Sequence, residues 1–141
     1  MSLIYWDTML FIYWLEANPS RVKQVEKIHN RMEGRGDQLC TSVFTVGEVL
    51  IGTYKTAGAD EVKKIRGYFE SPAIRLLPFN TEVADRYARI RVRWRVSPAD
   101  AIHLASAAVA GTDLYISNDA SLKRLAIDGI SFIVGLDAAL L

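Results

Sequence analysis

At 141 residues, half of them hydrophobic, the chain is long enough for one compact domain with a real core and has no room for a second. A net charge of +1 lacks the basic excess of a nonspecific nucleic-acid binder, and the apolar runs, broken at Asp7, Glu16 and Asp100, fall short of the roughly 20 residues of a membrane helix. One cysteine, Cys40, rules out an intrachain disulfide, and no charged leader precedes the first apolar run, so the expectation is a soluble, cytoplasmic protein with no membrane contact.

Residues 2–6 form an apolar run of strand length, after which Asp7-Thr8 caps a helix over about 9–16. Asn18-Pro19-Ser20 breaks the chain, and Val22, Val25, Ile28 and Met32 then make a helical stripe ending at Gly34 and Gly36. A short strand over 39–41 leads to Ser42, the cap of a third helix reaching about residue 55; Gly58 and a charged amphipathic helix to about residue 70 follow. Residues 74–77 read as a strand closed by Pro78, and Val83, Tyr87, Ile90 and Trp94 recur at helical spacing behind it. Ser97-Pro98 opens an alanine-rich helix that Gly111 ends, 114–117 is a buried strand, and a short helix precedes a last strand over 131–134. Strands separated by helices, with no hairpin signal, predict an α/β fold: a single domain over residues 1–141 whose central parallel sheet of about five strands is flanked by helices. Ligands of such sheets gather at the carboxyl ends of the strands.

Four acids stand where that architecture presents them: Asp7 at the end of the first strand, Glu48 on the third helix, Asp100 at the start of the alanine-rich helix and Asp119 just past the strand that follows it. Gathered in one cleft, carboxylates about 5 Å apart repel by roughly 3 kcal/mol per pair, and a bound cation relieves that. All-oxygen ligation suits Mg²⁺ or Mn²⁺, ions that serve phosphoryl-transfer and phosphodiester chemistry. Each acid also has a structural alternative. Asp7 is placed to cap a helix, Asp100 follows Ser97 at capping-box spacing, and Asp119 complements a helix macrodipole. Glu48, in a stretch with hardly another charge from Leu39 to Tyr54, requires a partner: an ion, or an arginine in a buried salt bridge. Thr45 and Gly52 share its helix face and would let a ligand approach.

Thr8 and Asn118 are lesser candidates for the same site, while His103 is expected as an ordinary core or surface histidine and His29 as a surface one. Cys40 is expected as a small buried hydrophobe. Arg86, Arg89, Arg91, Arg93 and Arg95 form one basic run and Lys63, Lys64 and Arg66 another, each a solvated helix face or a phosphate contact. No Cys/His spacing suggests zinc and no glycine-rich loop suggests a nucleotide.

Read in order, four segments resemble the motifs of the PIN-domain nucleases, and in particular the VapC-type toxins of toxin–antitoxin modules. They are Ile4-Tyr5-Trp6-Asp7-Thr8-Met9, the run from Ser42 through Glu48 to Gly52, Pro98-Ala99-Asp100-Ala101, and Ile116-Ser117-Asn118-Asp119. The resemblance covers nearly the whole chain. Two departures stand out: Met9 replaces a frequent Asn and is expected to loosen the first loop, and Ser121-Leu122 replaces a common Asp-Phe, so Asp119 serves alone.

The resemblance implies a PIN-like fold and metal-dependent hydrolysis of RNA phosphodiester bonds. Asp7, Glu48, Asp100 and Asp119 would be both the catalytic residues and the ligands of Mg²⁺ or Mn²⁺. It also implies a cognate antitoxin and a homodimer, with Phe11, Tyr13 or Trp14 exposed for a partner, and Arg86, Arg89 and Arg93 holding the RNA backbone. A PIN-fold binding module that has lost catalysis is the alternative. An aspartyl-phosphate phosphatase is disfavoured because Met9 stands two residues after Asp7, where that chemistry wants an acid.

Overall fold

The computed structural model describes residues 1–137. In chain order they form β1 (Leu3–Trp6), α1 (Thr8–Leu15), α2 (Val22–Arg35), β2 (Gln38–Ser42), α3 (Val43–Thr56), α4 (Ala59–Phe69), β3 (Ile74–Leu77), α5 (Thr81–Arg93), α6 (Pro98–Ala110), β4 (Thr112–Ile116), a 3-10 turn (Ala120–Arg124) and β5 (Ile130–Val134). The five strands make one parallel sheet in the order β3-β2-β1-β4-β5. The expected α/β fold is therefore the observed one.

Alternation along β1 distributes the core. Ile4 and Trp6 face a cluster built from Leu10 and Phe11 of α1, Val25, Ile28 and Met32 of α2, Val49 of α3 and Phe69 of α4. Tyr5 points to the other face, where Val83 and Ile90 of α5 pack with Leu104, Ala105 and Ala108 of α6 and with Tyr115 of β4. Burying side chains as large as Trp6, Tyr5 and Tyr115 contributes roughly 1.5–3 kcal/mol each. Small residues let α6 lie close against the sheet and α5: Ala101, Ala105 and Ala107 are all fully buried. Cys40 is buried beneath the same face as expected, and burial pushes its thiol up to about 12.

The sheet order positions the site. From β1 the chain moves through β2 to the edge strand β3, then crosses back to place β4 on the opposite side of β1. The direction of winding reverses between β1 and β4, and a crevice opens outside the carboxyl ends of strands at such a reversal. Asp7 follows β1 and Ser117-Asn118-Asp119 follows β4, so two of the four acids flank that crevice by topology alone. Among the described residues no helix is long and apolar enough to cross a membrane.

Candidate active site

Each acid is fixed by the local structure that introduces it. Asp7 is the N-cap of α1, its Oδ1 accepting from the Met9 N–H at 2.9 Å while its Oδ2 accepts from the Ser117 hydroxyl at 2.6 Å. Ser117 Oγ in turn accepts from the Asp119 N–H at 3.0 Å, so one buried serine ties the ends of β1 and β4 together. Asp119 caps the 3-10 turn, accepting at Oδ1 from the Ser121 N–H at 3.0 Å and the Ser121 hydroxyl at 2.6 Å. Asp100 sits in the first turn of α6, where the Ser97 hydroxyl accepts from its N–H at 3.1 Å. The capping expected of Asp7 and of Ser97 is present, and the Ser97 cap engages the Asp100 backbone N–H and not its carboxylate.

Among the described ion pairs Glu48 is joined to His103 and to no arginine. Its Oε1 accepts from the Thr8 hydroxyl and from His103 Nε2 at 2.7 Å. An ionised carboxylate only accepts, which places a proton on Nε2. Tyr5 Oη accepts from the Ser42 N–H at 3.2 Å and shares a hydrogen bond with His103 Nδ1 at 2.6 Å. Thr45 lies against Nδ1 at 3.5 Å and exchanges a 2.7 Å hydrogen bond with Thr41, whose hydroxyl is anchored on the Trp6 carbonyl. His103 is 4% exposed, so this is a buried polar chain running from the sheet to one carboxylate at the crevice. Gly52 takes no part in it, lining instead a groove between α1, α3 and α4 with Ile12, Leu15 and Ile65.

The electrostatics run in opposite directions at different acids. Burial pushes the Asp7 carboxyl above its ordinary value; hydrogen bonds from Ser117 and Met9 and the field of His103 oppose this, and Glu48 adds to it. Burial also raises Asp100, with the Ser97 contact opposing and the charges of Asp119 and Asp7 adding to the rise. At Glu48 burial again raises, but the His103 and Thr8 hydrogen bonds outweigh it and hold the carboxyl below its usual range. The four acids thus feel one another as a chain of like charges: Glu48 with Asp7, Asp7 with Asp100, Asp100 with Asp119. Among the described ion pairs none joins a lysine or arginine to any of them. Beneath the crevice the fully buried Tyr115 hydroxyl has no hydrogen-bond partner, and Asp7, Asp100 and Glu48 all add to the rise that burial imposes on it.

That donor set fits a hard divalent cation, being all oxygen, mutually repelling and short of positive charge. The fit is one of chemistry and not of a closed cage. Among the described residues no three His, Cys, Asp or Glu side chains are gathered tightly enough to share an ion as they stand.

The sequence matches the PIN domain family over residues 4–128. The chain belongs to that family. No curated protein sequence matches this PIN domain. Its fold is similar to VapBC from Salmonella typhimurium, solved bound to DNA, at a TM-score of 0.73 and 21% identity, covering 96% of this chain and 99% of that one. It is also similar to VapBC2 from Rickettsia felis, solved with a promoter DNA fragment, at 0.71 and 14%, covering 94% and 98%. VapC20 from Mycobacterium tuberculosis, described as a sarcin-ricin loop cleaving toxin, matches at 0.67 and 17%, covering 87% and 96%.

Against the sequence expectations, Thr8 is indeed at the site, bonded to Glu48. Asn118 is exposed and donates to the Tyr13 hydroxyl at 3.0 Å. Met9 does not loosen the first loop, since β1 passes almost directly into α1 and the Met9 N–H is held by Asp7. At position 121 there is no second carboxylate, and Ser121 binds Asp119 through both its backbone N–H and its hydroxyl. Phe11, expected as a possible exposed aromatic, is fully buried, while Tyr13 and Trp14 are half-buried. His29 is packed against Trp14, ring centroids 4.4 Å apart, and is not a free surface residue.

Arg86, Arg89 and Arg93 do share a face, where they line a cleft with Trp94 and residues 126–128 that includes none of the four acids. Arg86 donates to the Asp128 carbonyl at 2.6 Å and Arg89 pairs with Asp85 at 2.8 Å. The residue that sequence reasoning missed is His103. It lies one turn beyond Asp100 on α6, and that spacing is the one signal that pointed to it.

Proposed function

We propose that this PIN domain is a divalent-metal-dependent endoribonuclease, the toxin of a type II toxin–antitoxin pair acting in the cytoplasm. We assign Asp7, Glu48, Asp100 and Asp119 as its catalytic residues and as the side chains that hold Mg²⁺ or Mn²⁺. The observation that carries this reading is the chain of mutually repelling carboxylates at the β1/β4 crevice, with two of them raised by burial and, among the described ion pairs, no lysine or arginine joined to any. Family membership and the fold shared with VapC toxins, one of them described as cleaving the sarcin-ricin loop, support the same conclusion.

An ion bound there supplies Lewis-acid activation of water and neutralises charge developing on the phosphate. The chain's own residues do the rest. Thr8 and His103 hold Glu48 ionised and fix its Oε1, while Ser117 and the Met9 N–H fix the two oxygens of Asp7. Ser121 orients Asp119. Burial and the charges of Asp119 and Asp7 raise the Asp100 carboxyl, so a cation held by these acids would favour its ionised form.

The toxin–antitoxin complexes of the same fold support a cognate antitoxin as partner, and a homodimer is proposed with it. An exposed apolar stripe on α3, with Val43, Ile51 and Tyr54 between 43% and 68% exposed, is the kind of surface a protein partner covers.

The test is cleavage of end-labelled cellular RNA by wild type with Mn²⁺ or Mg²⁺, with EDTA, and by Asp7→Asn purified in parallel. Metal-dependent cutting, abolished by EDTA and by the substitution, is expected. Indistinguishable behaviour of wild type and variant would overturn the reading and leave a PIN-fold binding module.

A further inference from the structure

A second cleft, of about 250 Å³, opens beside the acids. It shares Ser117, the serine that bonds Asp7 and Asp119, and continues past Asn118 to Arg21 and Gln24 at the start of α2 and to Lys123 of the 3-10 turn. At that volume it falls below the roughly 300 Å³ at which whole-ligand pockets begin and suits one unit of a chain. Its two cations, set against Asp137, give the lining a formal charge of +1 directly beside Asp7 and Asp119, the acids that Ser117 bonds.

Both cations are positioned. Arg21 donates from Nη1 to Gln24 Oε1 at 3.1 Å, which fixes its guanidinium over the first turn of α2. Lys123 lies across Gly135 so closely that a Cβ at that glycine would stand 2.8 Å from Nζ. The Asp137 carboxylate borders the same space, its Oδ1 3.1 Å from that Cβ position, and among the described ion pairs none joins Lys123 to Asp137.

We propose that this cleft is a subsite for single-stranded RNA, taking the backbone phosphate of a nucleotide that flanks the scissile bond. Arg21 and Lys123 are its phosphate contacts, and the amides of Gln24 and Asn118 stand beside the adjoining sugar and base. This rests on the ribonuclease reading above and adds to it the path of the substrate. A polyanion approaching four carboxylates needs fixed positive charge next to them, and this cleft supplies it without crossing to the arginines of α5.

The test is fluorescence anisotropy of a labelled mixed-sequence single-stranded RNA with the full chain carrying Asp7→Asn, in EDTA, across a KCl series. In that background Arg21→Ala and Lys123→Ala are each expected to weaken binding roughly five- to tenfold and to lower the slope of log affinity against log salt by about 0.7. Arg89→Ala, in the other cleft, is expected to change binding less than about twofold. If wild type cuts RNA yet Arg21→Ala and Lys123→Ala match their parent in affinity and salt slope, the subsite is overturned while the nuclease stands. If these variants lose affinity for a glutamate-rich peptide and not for RNA, the cleft belongs to a protein partner and the subsite is again overturned. If wild type neither binds nor cuts RNA, the nuclease reading falls and the subsite with it.

Discussion

Two buried side chains, Tyr5 and His103, hold one half-exposed carboxylate, Glu48. Removing the Tyr5 hydroxyl leaves His103 Nδ1 without its close hydrogen-bond partner in a dry environment, a loss of about 1–3 kcal/mol. Tyr5→Phe should therefore lower the urea midpoint, and His103→Ala should in addition weaken Mn²⁺ binding by roughly 10–100-fold, as loss of a ligand-orienting partner does. His103→Gln, which keeps a donor toward Glu48, should recover part of that affinity. Equal Mn²⁺ affinity in wild type and His103→Ala would show that the histidine is only core packing.

The raised carboxyl of Asp100 makes a second prediction. A folded-state value above the unfolded 3.8 means that ionisation is harder in the fold than in the unfolded chain, so the charged group destabilises the metal-free protein at neutral pH. That penalty fades as pH falls through the folded value and is gone below the unfolded one. Asp100→Asn should raise the melting temperature of the metal-free chain at pH 7, each kcal/mol being worth roughly 3–5 °C at this size, and the gain should shrink on acidification. Glu48 has the opposite sign: the stability it contributes is present above its unfolded value of 4.5 and is lost as pH falls through its lowered folded value. At this scale Asp7, Asp100 and Asp119 were legible because each follows a strand or opens a helix, and Glu48 because it is a lone charge in an apolar helix. His103 was not, because its partner Glu48 lies 55 residues away and only the fold brings them together.

Among the elements, the contact of α6 with the loop before β5 has least slack. Gly129 has φ of +98°, and a Cβ there would stand 2.2 Å from the Ala108 carbonyl oxygen. Backbone meets backbone at that point, so no side chain can move aside. Gly129→Ala should cost about 3 kcal/mol or more, or prevent folding, read by urea denaturation with Gly67→Ala on α4 as the unobstructed control. Strand and helix order was legible because a run of 4–5 apolar residues followed by a cap and a 3.6-residue stripe has one sensible reading. The outer face of α1 was not legible. Thr8–Leu15 is apolar on every side after its first residue, so no polar stripe marks its phase, and Phe11 turned inward where a partner surface was expected.

Over the whole molecule, function follows from strand order. The sequence motifs name the acids but do not say that β4 lies beside β1, since the connecting helices would serve other orders equally well. The order β3-β2-β1-β4-β5 is what sets Asp119 against Asp7 through Ser117 and leaves the arginine run of α5 lining a separate cleft. If the four acids form one ion-binding centre, calorimetric titration of Mn²⁺ into the metal-free chain shows it most directly. Wild type should bind, Asp7→Asn and Asp100→Asn should each bind about tenfold more weakly or worse, and Asp85→Asn, whose carboxylate pairs with Arg89 on α5, should match wild type. Equal affinity in all four proteins, or no binding by wild type, would contradict a metal centre at the β1/β4 crevice.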